Sequence, residues 1–64
     1  MNQTQALAKA IALSQIEVKP YEVRPSDKFV FLIAAGKNRE LGTFLRKCGI
    51  NASTQRNAVI VNFS

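Results

Sequence analysis

The sequence predicts an α+β fold. It reads as one small domain over residues 1–64, in the order α-β-β-α-β, with a three-stranded sheet carrying its helices on one face. Three observations predict this. Segments 3–14 and 38–48 repeat apolar residues at helical spacing. Residues 16–23 alternate apolar and polar, the period of a half-buried strand. Residues 28–35 and 58–63 are apolar and rich in β-branched or aromatic side chains.

Asn2 or Thr4 can cap the first helix. Its Leu7, Ile11, Ala10, Ala6 and Leu13 fall within an arc of about 160°, with Lys9 opposite, so that arc is expected to face the core. In the next segment Ile16 and Val18 oppose Glu17 and Lys19. The phase slips at Pro20, after which Tyr21 and Val23 carry the apolar face, and a proline there marks an edge strand or a bulge. Arg24-Pro25-Ser26-Asp27 is a turn, with Pro25 presetting its second position. Residues 28–35 are apolar on both faces and are expected to be the central strand, antiparallel to the one before.

Gly36 breaks that strand and the second helix follows. Asn38 is its expected N-cap, and Glu40 suits the positive end of the dipole. Leu41, Phe44, Leu45 and Cys48 form an apolar stripe about 100° wide, which makes Cys48 a core residue. Gly49 reads as the left-handed residue of a Schellman stop, with Ile50 packing back. Residues 51–57 are polar and read as a loop. The last strand, 58–63, is expected to lie parallel to the central one, with the second helix as a right-handed crossover. Residues 41–58 resemble a helix-turn-helix template, with Gly49 as the turn glycine and Ser53-Thr54-Gln55-Arg56 opening a recognition helix. The chain departs from that template at Gln55, where an aliphatic residue should be buried, and residues 58–63 are strongly β.

Size and composition exclude several chemistries. A 64-residue chain buries about 60% of its unfolded surface, so its stability is marginal. One cysteine allows no internal disulfide, and without histidine no Cys/His zinc site can form. No cofactor is implied. The run Ala58–Val61 is hard for so small a domain to cover on both faces, which points to a homodimer. No apolar run approaches the roughly 18 residues of a membrane span. The stretch 6–13 contains Lys9 and lacks a preceding basic region, so it does not read as a signal peptide. A lone cysteine fits a reducing cytoplasm.

Catalysis is not expected. The commonest general base is missing, and the four carboxylates Glu17, Glu22, Asp27 and Glu40 fall at ordinary solvated positions. Binding is the better expectation, because the net charge of +5 is unevenly distributed. Residues 1–36 carry four basic and three acidic side chains. Residues 37–64 carry Lys37, Arg39, Arg46, Lys47 and Arg56 against Glu40 alone. Such asymmetry calls for an anionic partner.

Two arrangements could meet that partner. Lys37, Asn38 and Arg39 stand where a strand runs into a helix N-terminus, a generic anion site. It is not a P-loop, since the required earlier glycine is missing and Asn38 replaces the Ser or Thr. Arg39, Thr43 and Arg46 then share one helix face, with Lys47 to one side and Arg56 in the following loop, spaced to follow phosphates. The expected function is nucleic-acid binding (DNA or RNA) through these residues. The alternative is a small inhibitor or adaptor that docks on a larger acidic protein. The alternative gains from the aromatics, since Phe29, Phe31, Phe44 and Phe63 all read as core and only Tyr21 is left open as a stacking residue.

Overall fold

A computed structural model describes residues 2–63. Helix α1 spans Gln3–Ser14, strand β1 Phe29–Leu32, helix α2 Asn38–Lys47, strand β2 Ala52–Thr54 and strand β3 Val59–Asn62. The domain is α+β, with two helices and a three-stranded antiparallel sheet ordered β1-β3-β2.

Local signals place the helices. Asn2 caps α1, its side chain accepting from the Gln5 amide at 2.8 Å. Leu7 and Ala10 are buried, with Ile11 half-buried at their side. Leu13 corrects the expected arc, for it is 63% exposed. It lies about 120° around the helix from Leu7, past the edge of the face that α2 covers. Helix α2 ends as expected: Gly49 has φ +83°, its amide donates to Arg46, and the Ile50 amide donates to Leu45 at 3.0 Å. That is the Schellman pattern.

Cys48 is a second correction. It is exposed, as the C-cap residue of a helix whose last regular residue is Lys47. Ile50, turned back by the Schellman bonds, packs against the core there instead.

The sheet differs most from expectation. Residues 16–23 keep the alternating burial, including the slip at Pro20, but form no ladder. Their one backbone bond to β1's extension runs from the Lys19 amide to the Ile33 carbonyl, 2.9 Å. Pro20 has no N–H to give, and a one-residue slip destroys the register a ladder needs. The turn at Arg24–Asp27 forms as read: the Asp27 amide donates to the Arg24 carbonyl, and the Arg24 amide to the Asp27 carboxylate at 2.9 Å.

The third strand comes instead from the expected loop. β2 and β3 make a hairpin closed by the Gln55 amide donating to Ala58, with Arg56 and Asn57 at its tip. Among the described residues Gly49 is followed by β2 and β3 and not by a helix, so the helix-turn-helix resemblance does not extend to the fold. β3 is therefore the central strand and is antiparallel to β1, so α2 is not a parallel crossover.

Register decides what each face carries. Val30, Val61 and Ala52 form one inward row, and Leu32, Val59 and Thr54 the next. With Leu7, Ala10, Ala34, Leu41 and Leu45 these residues build the core beneath the helices. The other parity points away: Phe29 beside Asn62, then Phe31 beside Ile60 and Ser53. Among the described residues nothing covers Phe29 and Phe31 there, and they are 51% and 56% exposed. Their expected burial is thus corrected. Two helices over three strands cover one face, and strand alternation sends every second residue to the other.

Candidate nucleic-acid interface

The cations expected to bind phosphate fall into three groups. The first is structural. The Arg46 guanidinium donates from Nη1 to the Ala52 carbonyl at 3.2 Å and to Thr54 Oγ1 at 3.3 Å, and from Nη2 to Thr43 Oγ1 at 3.3 Å. Ala52 belongs to the pair of β2 that does not exchange bonds with β3, since Ser53 and Ile60 are the bonded pair of that ladder. Its carbonyl therefore points off the sheet edge, and Arg46 covers it. An uncovered edge is a template for unwanted strand pairing. Arg46→Ala is expected to lower stability by about 1 kcal/mol, below the range for buried charged hydrogen bonds because the side chain is exposed. Chemical denaturation measures this, and unchanged stability would return Arg46 to the binding surface.

The second group lies on the outward face of α2. Arg39, Glu40, Thr43, Phe44 and Lys47 line one shallow hollow there. Arg39, Thr43 and Lys47 are exposed, although the Thr43 hydroxyl is already an acceptor for Arg46. The buried side of this helix is Leu41, Gly42 and Leu45, so Lys47, not Arg46, continues the outward row.

The third group is assembled by the fold. Asn38 and Arg39 at the start of α2 meet Gln55, Arg56 and Asn57 at the hairpin tip, in a depression that also takes in Ile33, Ala35, Gly36 and Thr54. Among the described residues no carboxylate lines it. Gly36 shapes its wall, with φ +74° in a turn closed by the Lys37 amide donating to Ala34 at 2.8 Å. A side chain at that φ would be strained. The N-cap position is Lys37, not Asn38 as expected, and Lys37 supplies no side-chain cap. Asn38 is the first helical residue, and its Oδ1 accepts from the Ala34 amide at 2.8 Å. That bond ties the helix start to the end of β1. Lys37 is exposed but lines none of these hollows.

Sequence reasoning missed the open sheet face. A depression along β1 is lined by Phe29 and Phe31 together with Tyr21, the cations Arg24 and Lys28 and the carboxylates Glu22 and Asp27. Burial raises the Tyr21 phenol above its ordinary value of 10.0, so it stays protonated and neutral at physiological pH. The Phe29 and Phe31 rings meet edge to face, centroids 5.5 Å apart. Residues 29–33 are apolar at every position, and such a run hides which parity will be covered. Among the described residues no helix is long and apolar enough to cross a membrane. A comparison with protein-family models, curated proteins and solved structures finds no match, so the geometry carries the functional reading.

Proposed function

We propose that this chain is a non-catalytic module that binds nucleic acid, gripping phosphates in the depression between the start of α2 and the β2–β3 turn. One observation carries the reading. Arg39 and Arg56, distant in sequence, line a single concavity with the amides of Asn38, Gln55 and Asn57 and, among the described residues, no carboxylate. Guanidinium groups beside amide donors suit phosphate oxygens and the edges of bases. Arg39 and Lys47 extend the positive surface along α2, while Arg46 serves the fold.

Gel-shift or anisotropy titration at two salt concentrations tests the proposal. Affinity should fall with a slope of about −0.9 per phosphate neutralised on duplex and about −0.7 on single strands. Absence of binding to DNA and RNA at low salt sinks it. The second reading, an inhibitor or adaptor on an acidic protein, draws on the exposed Phe29 and Phe31. A partner protein retained after nuclease treatment, with no nucleic-acid binding by the pure chain, favours it. Self-association as a homodimer is measured in the same preparation by sedimentation.

A further inference from the structure

The open face of the sheet continues directly into the phosphate depression. Phe29, Phe31 and Ile33 stand in a row on β1 and its extension, and Ile33 also lines the concavity that holds Arg39 and Arg56. Beside that row the register sets Ser53, Ile60 and Asn62. Gln55 joins them, its Nε2 donating to Ser53 Oγ at 3.3 Å. The face thus presents aromatic rings and a strip of hydrogen-bonding groups, with Arg39 and Arg56 beside Ile33 at one end; at the other, beside Phe29, Arg24 and Lys28 share the depression with Glu22 and Asp27. Arg24 is partly engaged by Asp27, at 3.5 Å.

We propose that this face is a stacking platform for single-stranded nucleic acid, with bases on Phe29 and Phe31 and the backbone led into the Arg39–Arg56 depression. It rests on the nucleic-acid reading above and narrows it to a strand whose bases are unpaired. Paired bases present only their edges, so they cannot offer a ring face to a phenylalanine. Unpaired bases can, and stacking on aromatic side chains with cations along the backbone is how strands are held without duplex geometry. The two rings lie in different planes and each is about half exposed, so both keep apolar surface for a base. Charge selects this occupant over a second copy of the chain. Two copies packed by this face would juxtapose chains of +5 and bury Ser53, Gln55 and Asn62. A polyanion neutralises the same cations.

The test uses a labelled oligo(dT), an oligo(U) and a duplex of equal length. The wild-type chain should bind the single strands more tightly than the duplex at equal salt. Phe31→Ala should lower single-strand affinity about tenfold, leaving duplex affinity and both salt slopes unchanged. Circular dichroism confirms that the variant is folded. The chain contains no tryptophan, so Phe31→Trp supplies a single reporter: it should retain binding, and its fluorescence should be quenched by the oligonucleotide. Undiminished binding by folded Phe31→Ala, or unquenched fluorescence of bound Phe31→Trp, overturns the platform. The phosphate reading then survives if Arg39→Ala/Arg56→Ala still flattens the salt dependence. Lack of binding to any of the probes at low salt removes both. A wild-type dimer that Phe31→Ala makes monomeric without loss of single-strand affinity also overturns the platform and assigns the face to a second copy.

Discussion

Gly42→Ala is expected to destabilise the domain by about 1–2 kcal/mol, although alanine is the better helix former by about 1 kcal/mol. Gly42 is a buried residue of α2 lying directly over Thr54 of β2. A Cβ there would collide with Thr54 Oγ1 and would stand 3.3 Å from both Thr54 Cβ and Arg46 Nη1. Thr54 has little freedom to yield. Its side chain is β-branched, with a stiff first torsion, and sits in a strand paired to β3. Rotating the hydroxyl away also breaks its bond from Arg46. Overpacking of this kind costs roughly 1–3 kcal/mol, which outweighs the propensity gain. For a domain whose total stability is about 0.05–0.15 kcal/mol per residue, that is a large fraction. Urea denaturation measures it. Thr54→Ala removes the colliding oxygen, so the double variant should recover part of the loss, with a coupling of roughly 0.5 kcal/mol or more. A more stable Gly42→Ala would mean that helix and strand do not approach this closely.

Arg39→Ala/Arg56→Ala is expected to weaken nucleic-acid binding on the order of 10- to 100-fold near 0.1 M salt. Each phosphate released removes about 0.9 from the duplex salt slope, and two such losses compound over the decade of salt below 1 M. Both side chains are exposed and neither makes a hydrogen bond or ion pair within the described residues, so stability should change little. The contrast with Arg46→Ala is informative. That variant should lose stability and keep its salt slope, because its guanidinium is spent on Ala52, Thr54 and Thr43. If the double variant binds like the wild type, the depression is not the phosphate site.

Much of this fold is legible in the residues. The caps at Asn2 and Gly49, the turn at Arg24–Asp27 and the broken alternation at Pro20 are short-range effects. Each depends on a side chain and a backbone group a few residues apart, so sequence spacing specifies them. The candidate site was legible only in part. The surplus of positive charge after residue 36 pointed to the half of the chain that forms the Arg39–Arg56 depression, but helical spacing grouped Arg46 with Arg39. Arg46 lies at the border of the buried face, where the arrival of β2 claims it.

What the sequence by itself determined, then, is the two helices, the caps at Asn2 and Gly49, the turn at Arg24–Asp27 and the charge bias, because local geometry needs no partner. The tertiary structure alone decided the rest. Ala52–Thr54 is too short to announce itself and becomes a strand through pairing with β3. The same pairing makes β3 central and leaves β1 at the side of the sheet. An apolar run such as residues 28–33 has two equivalent faces until something covers one of them. The helices cover Val30 and Leu32, and strand parity then exposes Phe29 and Phe31 beside the cations.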